Sequence, residues 1–290
     1  MNKLIVPNLL NSINSVLPEI VLSLTLVAIV IFDLIFHKNK KPLPYISLIG
    51  LIITFIFLLN QFGTSNSAFP VSEKLSFLSL DPFSLFIKVI VIISSFLIIL
   101  FSISSNEIES CSDRLGEYYG LIFGMIIGMF FMISANDLIL IYLSLELLSL
   151  ASYVLAGFVK TSVRNSEASL KYLIYGSASS GIMLFGISIL YGIFGTTNLQ
   201  EINALIKSPA ASQLTFLIAV IFIFAGIGFK ISIVLFHFWT PDVYNGAPTS
   251  FTAFVSTASK AAGFAIFLRV LTSGAFGEPG QASLWWALLI

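Results

Sequence analysis

Apolar residues run along this chain in blocks long enough to cross a bilayer, separated by short polar connections. A spanning helix needs about 20 predominantly apolar residues. Such runs fall at residues 16–36, 44–62, 82–103, 118–135, 137–159, 168–194, 212–239 and 250–271. A ninth starts near Ser283 and is still apolar at Ile290. The pattern predicts an all-α fold: a polytopic transmembrane helix bundle with eight complete spans and an unfinished ninth. A chain that stops inside a hydrophobic run reads as a piece of a longer protein, or as one completed elsewhere. Only "SAND" separates the fourth span from the fifth, so those two are expected to form a tight antiparallel pair.

The polar connections carry the topology. "HKNKK" closes the first span, "SSNEIESCSDRLGE" lies between the third and fourth, and "KTSVRNSE" lies between the fifth and sixth. One side collects Lys38, Lys40, Lys41, Arg114, Lys160 and Arg164; the other has Lys3, Lys74, Lys207 and Arg269. Basic residues concentrate in cytoplasmic loops. The asymmetry predicts the N-terminus outside and "HKNKK" inside.

Composition agrees with a membrane protein. The 290 residues are 57% hydrophobic and 10% charged, against about 25% charged in soluble domains. The 28 phenylalanines suit lipid-facing surfaces, and a net charge of zero argues against a nucleic-acid partner. A single cysteine, Cys111, excludes a disulfide framework and an iron–sulfur cluster held by this chain alone. No small-residue cleavage site follows the first apolar run, so no signal peptide is read.

Against this background the charges inside the spans stand out. Glu146 is near the middle of the fifth span, Lys260 near the middle of the eighth, and Lys230 lies within the seventh. Roughly 15 Å of hydrocarbon lies on either side of a midplane group, too far for a side chain to reach water. Such residues usually mark proton or ion routes. Three of them, with one lysine in excess, favour a relay over one static pair. The expected contact is between Glu146 and Lys230, directly or through one water. Ser256, Thr257, Ser259 and Gly263 surround Lys260 with small residues that leave room for water. Lys88, Asp33 and Lys171 lie closer to span ends and are read as reaching the headgroups; Lys171 also has Glu167 four residues earlier, on one helix face. Lys171 and His237 are second-tier relay candidates. His237 follows Lys230 by seven residues, two turns along nearly the same face, and its ordinary pKa suits proton transfer. With only His37 besides it, no metal site is expected.

The segment "GFKISIVLFHFWTPDVYNGAPTSFTAFVSTASKAAGFAIFLR" closely resembles the seventh-to-eighth helix region of the antiporter-like membrane subunits of complex I, the NADH:quinone oxidoreductase. "FHFWTPDVYNGAPT" with "STASK" most resembles their subunit N group. "LSLELLSLASYVLAGF" resembles that family's fifth helix and "NSEASLKYLIYGSASSGIMLFGISILYG" its sixth, while "LPEIVLSL" and "DPFSLF" resemble its first and third. The likeness covers the whole chain.

The resemblance implies an antiporter-like fold with a broken seventh helix and the first of two inverted five-helix repeats. On that reading residues 1–117 form an N-terminal three-helix segment, 118–271 the repeat, and 272–290 the start of a further helix. It places the family's fifth-helix glutamate on Glu146, its seventh-helix lysine on Lys230 and its central eighth-helix lysine on Lys260, a relay in which the glutamate–lysine pair releases a proton to the central lysine. It implies a proton-translocating subunit of an NADH (or ferredoxin):quinone oxidoreductase in the bacterial inner membrane or a related energy-coupling membrane. The chain would be enzymatic only as part of that translocase. Other membrane subunits, the lipid bilayer and protons would be its partners, with quinone, FMN and iron–sulfur clusters on partner subunits and no cofactor of its own. The chain has no GxGxxG after a strand, no CxxC and no evident haem-ligand pair. A multi-subunit sodium/proton antiporter is the alternative, disfavoured by "TPDVYNGAPT". One departure is visible: family members commonly have a proline just before "FH", where this chain has Leu235. A break in the seventh helix would then depend on Gly226, Gly228 and Pro241.

Overall fold

The structure, a computed structural model, describes residues 12–36, 40–63, 66–70, 76–160, 162–206 and 213–275. The expected ninth span, His37, and the loop lysines Lys3, Lys38, Lys74 and Lys207 lie outside the described residues.

Eight helices are long and apolar enough to cross a membrane. They are α1 (Leu17–Ile35), α2 (Leu43–Asn60), α3 (Pro82–Ile103), α4 (Leu115–Ser134), α5 (Leu138–Ala156), α6 (Val163–Phe194), α7 (Gln213–Ile231) and α9 (Thr249–Thr272). A short helix, α8 (Trp239–Gly246), stands between α7 and α9. Their starts follow local chemistry. Pro18, Pro44 and Pro82 occupy first-turn positions, where a missing N–H costs nothing. Asp81 and Ser84 form a reciprocal capping box on α3, and Asp137 caps α5 through the amides of Ile139 and Leu140. Ser162 caps α6, which therefore begins at Val163, inside the stretch read as loop; Gly195, at φ 70°, closes it in the left-handed conformation.

Between α2 and α3 the chain makes an antiparallel hairpin of β1 (Asn66–Pro70) and β2 (Ser76–Leu80), an element not anticipated. Its signal was the short alternation "SFLSL", whose first, third and fifth side chains are buried. β2 bridges at Leu78 to Ala135, and Asp137 bridges to Asn198, so the hairpin is tied to the α4–α5 and α6–α7 connections.

The most interior helix is α4: 72% of its membrane window is buried, against 28% for α1. Tyr118, Phe123, Met129 and Phe130 lie within the main core. The pairing of α4 with α5 is as close as "SAND" requires. A Cβ at Gly128 would lie 2.9 Å from the Leu148 amide nitrogen and 3.0 Å from the Ser144 carbonyl oxygen. Both obstacles are backbone. Gly128→Val should therefore destabilise the bundle by roughly 1–3 kcal/mol or more, read as a lowered thermal midpoint in detergent, while the same change at Gly120, with open space around its Cβ position, should not.

The seventh span is not one helix over 212–239. α7 ends at Ile231, and the chain turns through Ser232 (φ 60°) and Leu235 (φ 81°) before α8 begins at Trp239. These left-handed values are strained for side-chain-bearing residues, and 81° is inaccessible to proline. The interruption is thus built on a backbone geometry that a proline at 235 could not adopt. Trp239 Nε1 donates to the Phe229 carbonyl oxygen at 3.1 Å, meeting one of the acceptors left at the end of α7.

Candidate functional site

Lys230 sits in the last turn of α7, where unpaired carbonyl groups favour a cation. It is 1% exposed. Its ammonium donates to the hydroxyl of Tyr172 on α6 at 3.3 Å and to Ser149 on α5 at 3.5 Å. Ser152 also donates to the Tyr172 hydroxyl, at 3.3 Å. A cation is therefore held inside the bundle by hydroxyl oxygens from two other helices.

Among the ion pairs of the described residues, none joins Lys230 directly to Glu146. The Glu146 carboxylate instead accepts a short hydrogen bond from Ser180 on α6, and Ser180 approaches the Tyr142 hydroxyl at 3.4 Å. Glu146 and Ser149 are three residues apart, on one face of α5. The carboxylate is thus one helical turn, about 4.5 Å along the axis, from the serine that Lys230 touches.

Lys260 follows a π-helical turn, Val255–Ser259, within α9. Its ammonium is 5.4 Å from the centre of the Tyr244 ring, within cation–π range. Ser256 and Thr257 turn their hydroxyls back to the Ala253 carbonyl, whereas the Ser259 hydroxyl is buried without a partner. Gly263, one turn after Lys260, lies against the end of α7: a Cβ there would be 2.5 Å from Ile231 Cγ2 and 3.7 Å from Lys230 Cγ. The absence of a side chain at 263 lets α7 and α9 approach at the level of both lysines.

Between the lysines runs a row of rings that sequence reasoning missed. Lys230 is 5.8 Å from the centre of the Tyr172 ring, Tyr172 stacks on Trp239 at 4.5 Å, and Trp239 meets Tyr244 edge-on at 6.1 Å. Lys260 closes the row on Tyr244, whose hydroxyl is buried and unpartnered. Trp239 and Tyr244 come from α8, so the interrupted helix supplies the middle of the row. A separate cluster of uncharged aromatics gave no sequence signal of its own.

The other candidates fare differently. His237 lies in the irregular stretch before α8, stacked on Phe238 at 4.8 Å, its Nδ1 buried without a partner. The two-turn argument linking it to Lys230 fails because α7 stops six residues earlier. Lys171 does not reach freely for the headgroups. It pairs with Glu167 at 2.8 Å, as the spacing indicated, and with Asp242 of α8 at 2.7 Å, so one ammonium ties α6 to the interrupted helix. Asp33 pairs with Lys40 at 2.7 Å. Lys88, also read as reaching the headgroups, is fully buried and paired with Glu19. Arg269, counted as a loop charge, is buried between Asp81 and Asn136. Among the described residues, no three His, Cys, Asp or Glu side chains gather as metal ligands.

Eight spanning helices around interior lysines, one of them at the end of an interrupted helix, define an integral, multi-pass membrane protein with charged groups inside its bundle. Residues 135–290 match the family described as NADH:quinone oxidoreductase/Mrp antiporter, TM, and the chain belongs to that family. The chain is 43% identical over 279 residues to NADH-quinone oxidoreductase subunit N 2 of Chloroherpeton thalassium, covering 94% of this chain and 54% of that protein. It is 40% identical over 266 residues to NADH-quinone oxidoreductase subunit N of Chlorobium chlorochromatii, covering 91% and 51%. The solved respiratory complex I from Thermus thermophilus contains a similar chain, with TM-score 0.72 and 27% identity over 87% of this chain and 52% of that one. The chain spans about half the length of the curated relatives it matches.

Proposed function

We propose that this chain acts as a proton-translocating membrane subunit of an NADH (or ferredoxin):quinone oxidoreductase of the subunit N type. The observation that carries the reading is the pair of interior lysines, Lys230 and Lys260, joined by the Tyr172–Trp239–Tyr244 row in a chain whose relatives bear that name. Residues 118–271 act as the first five-helix repeat and 1–117 as the three-helix segment before it. Electrons, quinone, FMN and iron–sulfur clusters belong to partner subunits, with which this chain packs in an energy-coupling membrane such as the bacterial inner membrane. The sodium/proton antiporter reading shares the family, but the relatives' names favour the oxidoreductase.

In this mechanism Lys230 holds a proton between Ser149 and Tyr172, and Glu146 acts on it from one turn away. A carboxylate nearer the ammonium favours the charged form; a carboxylate drawn back to Ser180 favours release. The released proton passes along waters beside Tyr244 to Lys260. Lys171 holds α8 in position through Asp242, and His237 is a secondary proton carrier at the break. Because no direct ion pair joins Glu146 to Lys230 among the described residues, Glu146→Gln should slow pumping without loss of assembly. Proton uptake by vesicles containing the whole complex checks this: wild-type pumping with Glu146→Gln would overturn the role of the carboxylate.

The orientation follows the basic loops, with the N-terminus outside. The loop groups Lys40, Asp113 and Arg114 gather on one side, where Lys40 donates to the Asp113 carbonyl and Arg114 to that of Phe158. A cysteine at position 41 should react with an impermeant thiol reagent only after intact cells are opened. Labelling from outside would reverse the topology.

A further inference from the structure

Glu19 and Lys88 form a second charged pair inside the bundle, on helices that carry neither Glu146 nor the two interior lysines. The Lys88 ammonium lies 2.5 Å from Glu19 Oε1, and the side chains are 0% and 4% exposed. The pair is poorly satisfied for its depth. Glu19 Oε2 is buried with no hydrogen-bond partner, and the other neighbour of the Lys88 ammonium is the Phe130 ring, 5.3 Å away at its centre. An ammonium has three donors and a carboxylate about four acceptor sites. A buried pair held only for stability repays its desolvation when those sites are filled; among the described residues, no protein group fills the second oxygen of Glu19.

A cavity of about 300 Å³ opens where α1 and α3 begin, lined among others by Asn14, Ser15, Leu17, Asn60, Gln61 and Leu80. Ser15 and Leu17 precede Glu19 by one turn or less, and Leu80 adjoins the cap of α3. Leu17, Phe57 and Leu80 make most of its lining apolar, but Asn14, Ser15, Asn60 and Gln61 give it polar groups, and its volume is several times the roughly 30 Å³ of a water. On the other flank, α3 packs against α9, the helix of Lys260. Other charged groups on the elements packed against α3 are Glu107, Glu109, Glu117, Lys260 and Arg269. None of these, nor the tyrosines of α2 and α4, contacts Lys88; Glu19 alone does.

We propose that Glu19 and Lys88 form a further proton-transfer site, exchanging protons between the bundle interior and the vestibule at the start of α1 and α3. Lys88 gives up one N–H proton to Glu19, forming a neutral amine and a carboxylic acid. The proton arrives on Oε1. Rotation of the neutral carboxyl group turns it toward the vestibule, where it passes to a water as Glu19 returns to a carboxylate. The amine takes a replacement proton from water inside the bundle. One proton has then crossed, and the pair is restored. With the N-terminus outside, the direction is outward. The inference rests on the proton-translocating function proposed above.

The test uses the whole complex, purified and reconstituted in vesicles, with Lys260→Met measured alongside. Lys88→Arg keeps the ion pair but cannot release its proton, and Glu19→Gln/Lys88→Met removes both charges together. The expected result is an assembled complex that has lost proton translocation per quinone reduced in both variants. Wild-type pumping by either assembled variant overturns the site, because a static pair tolerates both changes. If neither variant assembles, the pair is a structural requirement and the proposal falls. If Lys260→Met also pumps normally, the failure belongs to the proton-translocating reading itself.

Discussion

Lys260→Met should leave the complex assembled and nearly abolish its proton translocation. Lys260 is half-buried, meets Tyr244 through its ammonium and makes no ion pair among the described residues, so its removal leaves no opposite charge stranded. Methionine fills a similar volume. What is lost is a group able to take and give a proton, and general acid–base participation is commonly worth about 10²–10⁴-fold. Lys260→Arg should be impaired as well, since a guanidinium keeps its proton, although it retains the charge and the ring contact. Proton uptake measured against quinone reduction in vesicles separates the cases. A methionine variant that pumps at the wild-type ratio would remove Lys260 from the path.

The largest structural effect is expected for Asp81→Ala. Arg269 is 4% exposed in its side chain and pairs with both Asp81 oxygens at 3.0 Å. Its other side-chain partner is Asn136 at 3.3 Å, and its Nε is buried without one. Burial raises the Asp81 carboxyl, but the Arg269 charge and the Ser84 amide outweigh it and hold it below its ordinary value. Its contribution is therefore present above the unfolded pKa and lost as pH falls through the folded one. Removing Asp81 strands a buried guanidinium, a loss of roughly 3–5 kcal/mol. The lower end applies because Asp81 is itself 37% exposed and water can partly replace it. Loss of the α3 cap adds about 1 kcal/mol. The prediction is a strongly lowered yield of assembled complex and a thermal midpoint many degrees lower, partly rescued by Arg269→Leu in the same chain. Unchanged stability in Asp81→Ala would mean that the far end of α9 is held by other contacts.

The contrast between Lys260 and Lys88 shows how legible the site was. Both are lysines in apolar runs, and depth along the helix was the only sequence measure of either. Depth marked Lys230, which is buried, and Lys260, which is half-buried. It misplaced Lys88, because distance from a helix end says nothing about whether a neighbouring helix covers that end. Glu19 went unremarked for the same reason: a carboxylate in a first turn is ordinary at a helix N-terminus. The Glu146–Lys230 contact was inferred from charge complementarity, but buried serine and tyrosine hydroxyls compete for the same groups. Hydroxyls are common in apolar runs, so their aim is invisible until helices are packed.

The sequence by itself determined the membrane class, the eight spans, most of their starts and the family, since these depend on run length, local caps and contiguous motifs. The close α4–α5 pair also followed from four residues. Only the tertiary structure decided that α4 lies at the centre, that α7 ends at Ile231 on left-handed backbone without proline, and that Tyr172, Trp239 and Tyr244 line up between two lysines. The reason is physical. Hydropathy is a property of each residue against lipid or water, whereas a partner for a buried charge is a property of the surfaces that packing brings together.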